Sequence, residues 1–304
     1  MSNTLFVGKV YHRFDELPST NDWAAQIIAS VPSSPATMEG TKEAAKTKPP
    51  EGTVVRAANQ TAGRGQLGSQ WHSSAGENLL MSVIFYPTWL EVQAQFYLSM
   101  AVALGVHDVI GSFLSAVAFP PAEPRRAGAE EERHSSLGNS SLGHSSLGHS
   151  SLSHSIKWPN DLYLGDKKTA GILIQNALSG SNLQSAIVGI GLNVNQLEFP
   201  ADLPNATSMA RTLGHKFDLE EVADRLFEGL ERRYLQLKAG HRSAIKAEYE
   251  EHLWRRGENS RFVRSADGSA FEGVILGVTE QGLLRVETSK SVEGFEVKEL
   301  VFVV

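Results

Sequence analysis

Cysteine is absent from this 304-residue chain. That excludes disulfides, thiolate nucleophiles and cysteine-held metals. An excess of positive charge is missing as well: 28 Lys and Arg stand against 34 Asp and Glu, giving a net charge of −6. A nucleic-acid binder favours a basic face, so no nucleic acid is expected as the main partner. Met1 to Val10 lacks a basic region followed by an apolar run, and no secretory signal is expected. No uncharged apolar stretch is expected to approach the length that spans a bilayer, so no membrane role is expected. These absences leave a cytoplasmic protein, long enough for a sizeable core in one large domain or two.

What is present is organised unevenly. Val10 to Phe14 reads as a strand ended by Leu17-Pro18, and Ser19-Thr20-Asn21-Asp22 offers caps for a helix carrying Trp23, Ala24, Ala25, Ile27 and Ile28. Residues 32–50 are rich in Pro, Ser, Thr and Lys and read as a surface loop. Strands are expected at Thr53–Ala58 and Leu79–Tyr86, then a buried helix over Val92–Leu114. Residues 120–155 break the pattern, with a five-residue Ser-Ser-Leu-Gly-Asn/His-type unit running through 135–154. A period of five fits neither helix nor strand, and lone leucines cannot offset the entropy of ordering so much Ser and Gly. The tract reads as a dispensable disordered insertion, and its histidines (His134, His144, His149, His154) have no rigid spacing that would fix a metal. A hairpin follows, Asp161–Leu164 and Thr169–Gln175 about Gly165-Asp166, then a strand over Ala186–Val194, two helices between Leu219 and Trp254, and short strands beyond Gly257, the last over Glu296–Val304, that read as a small β-barrel.

Three places carry chemistry. In Gly63-Arg64-Gly65-Gln66-Leu67-Gly68-Ser69-Gln70-Trp71, glycines permit tight bends, arginine supplies a donor fork for carboxylate or phosphate, and the indole offers a flat face to a ring. That loop suits a small acidic molecule beside a nucleotide. In Lys157-Trp158-Pro159-Asn160-Asp161, a rigid strand-end lysine is suited to stabilising charge at a phosphorus centre, or else lays its stem over the tryptophan. Asp161 either helps hold a metal-bound triphosphate or caps the turn. In Ala186 to Val194, counting by twos puts Ala186, Val188, Ile190, Leu192 and Val194 on one apolar face, with Ile187, Gly189, Gly191 and Asn193 on the other. The glycine face is cleared either for a ligand or for close packing. Lys168 to Leu173 shows the same habit of small residues inside a strand. Gln60, Ser19, Thr20 and Asn21 can hydrogen-bond a ureido or amide group, with helix capping as the competing role for the last three.

Taken in order, Leu17-Pro18-Ser19-Thr20-Asn21, Gln60 to Gln66, Trp71, Lys157 to Tyr163, Ala170 to Leu173 and Gly189 to Asn193 resemble biotin protein ligase. The resemblance runs from about Val10 to Val304, minus the two insertions. It implies an α+β fold: a catalytic domain like class II aminoacyl-tRNA synthetases over residues 1–256, and a C-terminal SH3-like barrel over 257–304. It implies ATP-dependent formation of biotinyl-5′-AMP, then transfer of biotin to a lysine of a biotin carboxyl carrier protein. Ser19, Thr20, Asn21, Gln60 and Gly171 would hold biotin, and Gly63, Arg64, Gly65 and Gln66 would close over it. Lys157 and Arg64 would be catalytic, Lys157 bridging the biotin carboxylate and the α-phosphate. Trp71, Asn160, Asp161, Gly189, Gly191 and Asn193 would serve the nucleotide. Magnesium would arrive with ATP, near Asp161, with no metal held by the protein alone. A monomer or weak homodimer is expected.

Two departures stand out. The family loop often reads Gly-Arg-Gly-Arg, and here Gln66 replaces the second arginine, removing a charge from the anhydride end of the site. The motifs begin within the first twenty residues, so the DNA-binding domain that some members carry is not expected here. A lipoate or octanoate ligase of the same superfamily, or a biotin-responsive regulator without turnover, are the competing readings.

Overall fold

The computed structural model describes residues 3–30, 47–118 and 153–303. The serine-rich repeat therefore lies outside the described residues except for its last two positions, as does most of the 32–50 loop.

A seven-stranded mixed sheet carries the first 200 residues. Its strands are β1 (Tyr11–Leu17), β2 (Val54–Gln60), β3 (Leu79–Phe85), β4 (His154–Lys157), β5 (Asp161–Leu164), β6 (Lys167–Ser179) and β7 (Asn182–Leu192), in the order β1-β2-β3-β7-β6-β5-β4. β1 runs parallel to β2; every other pairing is antiparallel. Alternation along β3 assigns the two faces. Leu79, Met81, Val83 and Phe85 enter the main core, while Ile84 joins Ala24, Val55 and Ile187 in a smaller cluster on the opposite side. That smaller side is covered by α1 (Thr20–Ala29), whose first turn is capped by Ser19 accepting a hydrogen bond from the Asp22 N–H.

The other face is covered by α2 (Phe96–Ala118), α4 (Leu219–Lys238) and α5 (Arg242–Glu251), with the short α3 (Met209–Leu213) between sheet and α4 in the chain. α2 starts later than expected because Val92–Ala94 forms a 3-10 turn. The segment Val92–Ala116 corrects one expectation: it is long and apolar enough to cross a membrane, yet most of it is buried inside the protein. Leu98, Met100, Leu104 and Val106 lie wholly inside the core. α3 gave no periodic signal at five residues; Ser208 caps its start and Gly214, at φ 81°, its end.

Beyond Gly257 the chain forms β8 (Asn259–Arg264), β9 (Ala270–Val278), β10 (Leu284–Thr288), β11 (Val292–Phe295) and β12 (Leu300–Phe302). They make one antiparallel sheet in the order β11-β10-β9-β8-β12, with no closure between the end strands among the described residues. The single strand expected over Glu296–Val304 is instead a turn through Lys298, at φ 72°, followed by β12. Two links tie this sheet to the β4–β5 hairpin: Trp158 donates its indole N–H to the Gly282 carbonyl at 2.9 Å, and the Lys157 ammonium sits 4.9 Å from the Phe302 ring.

Candidate active site

The C-terminal end of β2, the start of α1, the glycine loop and the facing strands β6 and β7 enclose a cavity of about 260 Å³. One end is a buried hydrogen-bond network. Gln60 Oε1 accepts from the Thr20 N–H at 2.8 Å and from the Thr20 hydroxyl at 3.1 Å. The Ser82 hydroxyl lies 2.7 Å from Thr20 Oγ1 and 2.6 Å from Asn21 Oδ1, and Asn21 donates to Gln175 Oε1 at 2.9 Å. With its carbonyl committed to Thr20, Gln60 presents its –NH2 as the group left for a ligand. Ser19, Thr20 and Asn21 are all buried wall residues.

The glycine loop folds on itself as a small hairpin. Trp71 donates its backbone N–H to Gly63 O at 3.0 Å, and Gly65 donates to Ser69 O at 2.7 Å. A β-carbon on Gly63 would stand 2.6 Å from the Trp71 carbonyl, so the bend requires glycine there. Gly65, Arg64 and Gln66 line the cavity, and Gly63 stands behind them as a hinge of the hairpin. Arg64 is ion-paired to Asp22 of α1, which fastens the loop across the helix start.

The cleared face of β7 is filled by the protein's own side chains. A β-carbon on Gly171 would lie 2.8 Å from Trp71 Cζ3, one on Gly191 would enter the same indole, and one on Gly189 would strike the Asn21 amide. These glycines therefore seat Trp71 and Asn21 against the strands, and all of them line the cavity. The Trp71 indole N–H is buried with no hydrogen-bond partner among the described residues.

Two expected residues lie elsewhere. Lys157 does not line the cavity. Its ammonium donates to the Tyr163 hydroxyl at 3.1 Å and stands 5.1, 5.0 and 4.9 Å from the rings of Tyr163, Trp254 and Phe302. Burial lowers its pKa, against the opposing pull of Asp161. It braces the junction between the two sheets. Asn193 also lies outside the wall: β7 ends at Leu192, and the buried Asn193 amide donates to Thr207 O at 3.0 Å.

A second cation of the cavity, besides Arg64, is Lys168, a position that alternation in the sequence does not single out. Its ammonium is 2.7 Å from Asp161 Oδ1 and 5.6 Å from the centre of the Trp71 ring. Simple alternation puts Lys168 and Gly171 on opposite faces, since three positions separate them. A bulge undoes that parity: Tyr163 pairs with Lys168 but Leu162 pairs with Ala170, leaving Thr169 as the extra residue. The bulge turns Lys168 to the side of Gly171 and into the cavity. Asn160 and Asp161 form the wall next to it, with Asn160 O accepting from Ile172 N at 3.0 Å and its amide donating back to Ile172 O.

Residues 30–193 match the model of the biotin/lipoate A/B protein ligase family. The chain belongs to this family. It is 31% identical over 261 residues to the bifunctional ligase/repressor BirA of Bacillus subtilis, covering 85% of this chain and 68% of that protein. It is 29% identical over 234 residues to a biotin–[acetyl-CoA-carboxylase] ligase of Mycobacterium tuberculosis, covering 77% of this chain and 73% of that one. Its fold is similar to that of a biotin protein ligase from Aquifex aeolicus in complex with biotin and ATP, with a TM-score of 0.66, 22% identity, and coverage of 96% and 98% of the two chains. Of the nominated site residues, Ser19, Thr20, Asn21, Gln60, Arg64, Gly65, Gln66, Trp71, Asn160, Asp161, Gly171, Gly189 and Gly191 line this one cavity, and Gly63, Lys157 and Asn193 do not.

Proposed function

We propose that this protein is a biotin ligase, which activates biotin with ATP and passes it to a lysine of a biotin carboxyl carrier protein. The observation that carries this reading is a single cavity with two unlike ends. A neutral end of hydroxyl and amide groups (Ser19, Thr20, Asn21, Gln60) suits a ureido head group, which both donates and accepts hydrogen bonds. The other end presents Lys168, and the glycine loop brings Arg64 to the same cavity; both cations suit a carboxylate or a phosphate. The relatives named as biotin ligases and BirA support the same substrate.

In the first step a carboxylate oxygen of biotin attacks the α-phosphorus of ATP, and the bond to the β-phosphate oxygen breaks to release pyrophosphate. Lys168 stands where the attacking carboxylate and the charge on the α-phosphoryl oxygens meet, and exchanges its Asp161 partner for them. In the second step the carrier's lysine amine attacks the acyl carbon, AMP leaves with the bonding pair, and the amine loses its proton. Asp161 adjoins that point and can accept it. Magnesium accompanies ATP as part of the substrate. Arg64 closes the glycine loop over the intermediate, and Gln66 gives that loop one positive charge fewer than the Gly-Arg-Gly-Arg pattern.

The finer architecture belongs to the same reading: a synthetase-like catalytic domain over residues 1–256 and an SH3-like module over 257–304, working in the cytoplasm as a monomer or weak homodimer. Incubating the protein with ATP, a carrier domain and either biotin or lipoate, read by mass, tests the assignment. Biotin alone should add to one carrier lysine. Addition of lipoate instead, or of neither, would overturn it.

A further inference from the structure

Three imidazoles stack away from the cavity, at the place where the chain re-enters the sheet. His107 of α2 lies between His154, the first residue of β4, and His252, at the C-terminal end of α5. Its ring centroid is 4.0 Å from each, with interplanar angles of 20° and 27°. His107 is 4% exposed, and neither of its ring nitrogens makes a well-formed hydrogen bond among the described residues, the His154 backbone being the polar group that approaches it. The rings lie nearly parallel rather than converging on a point, so their arrangement is not that of a chelate.

We propose that this stack is a proton-triggered latch, which holds strand β4 in place while its imidazoles are neutral and releases it when they gain protons. The geometry supplies the force. Two imidazolium rings 4 Å apart in a buried site repel strongly, and the His154 backbone and Asp108 offset only part of the cost of charging His107. The charged groups around the stack do not cancel this. Asp108, next to His107 on α2, is already held by Arg232 and Arg233 of α4, and Glu248 of α5 is held by Arg233.

The part that yields is β4 itself. It is four residues long, stands last in the sheet order, and beyond β5 its backbone is bonded to the segment after α5: Ile156 donates to His252 O at 2.8 Å and accepts from Trp254 N at 2.9 Å. His154 is packed so closely on α2 that a β-carbon on Gly111 would lie 2.6 Å from its Nε2. Moving His154 away therefore pulls on the strand that leads into Pro159, Asn160 and Asp161 of the cavity wall.

Burial, then the neighbouring imidazoles, lower the His107 pKa from 6.5 to about 3, and burial and His252 lower that of His154. The opened state thus binds more protons between pH 3 and 6.5. The latch is fully effective above the ordinary histidine value and is lost as pH falls below it.

Hydrogen exchange of the full chain at pH 7.5 and 5.5, corrected for intrinsic rates, tests the latch. Amides of Ser155–Trp158 should open roughly tenfold or more at the lower pH, and in His107→Leu the change should shrink to the part that His154 alone supplies. Equal protection of β4 at both pH values in the unsubstituted protein, or equal acid opening in His107→Leu, would overturn the latch. Ring proton resonances of the unsubstituted protein provide a second reading that needs no variant. A His107 signal that titrates near pH 6.5 while β4 stays protected would also overturn it.

Discussion

The two ends of the cavity are built on opposite principles. At the neutral end, Thr20, Asn21, Gln60 and Ser82 bond one another, so the groups are fixed before any ligand arrives. At the charged end Lys168 is held by Asp161, and on the glycine loop Arg64 is held by Asp22, so each cation must change partners to take an anion. The first end is organised for recognition at little reorganisation cost; the second is organised for chemistry, where the strongest interactions form as charge moves.

The largest expected effect separates two lysines. Lys168→Ala should slow biotin-dependent pyrophosphate release by about a hundredfold or more, the scale of one lost electrostatic contact. Lys157→Ala should instead lower the melting temperature while changing turnover by only about threefold or less in the folded protein. The reverse ranking would return the cationic role to Lys157.

Next comes the seat of the indole. Gly191→Ala puts a methyl group into Trp71, and overpacking of that kind costs about 1–3 kcal/mol. In a Trp71→Ala background the same change should cost little. Additive losses in denaturant titrations would show that the glycine serves something other than Trp71.

At the neutral end, Thr20→Val keeps the shape and removes a hydroxyl from the buried network. Biotin binding should weaken about tenfold, with the nucleotide barely affected, because an unsatisfied buried partner costs about 1–3 kcal/mol. Equal weakening for both ligands would mean that the two ends are not separate. The smallest effect is expected from Asp22→Asn, which loosens an ion pair exposed on both sides and should change biotin affinity by about threefold or less.

Much of this was legible in the sequence. The β7 alternation, the Ser19 cap and the glycine loop all follow local rules that a linear reading can apply. What it could not see depends on register and on distant contacts. The parity of Lys168 is reset by a bulge at Thr169 that only the pairing with β5 reveals. Lys157 is drawn into the sheet junction by Trp254 and Phe302, nearly a hundred residues and more away in the chain. Asn193 falls one residue past the end of β7, where alternation no longer applies. The glycine face reads from sequence as cleared for a ligand or for close packing, and the groups that approach it are Trp71 and Asn21.

The central claim is that the neutral end takes the head of biotin and Lys168 takes its carboxylate. Calorimetric titration of biotin and of its uncharged amide, biotinamide, into the unsubstituted protein and Lys168→Met tests this most directly. The unsubstituted protein should bind biotin about tenfold or more tightly than biotinamide, the scale of a hydrogen bond to a charged group. Lys168→Met should erase that preference while leaving biotinamide affinity unchanged. A preference that survives in Lys168→Met would contradict the account.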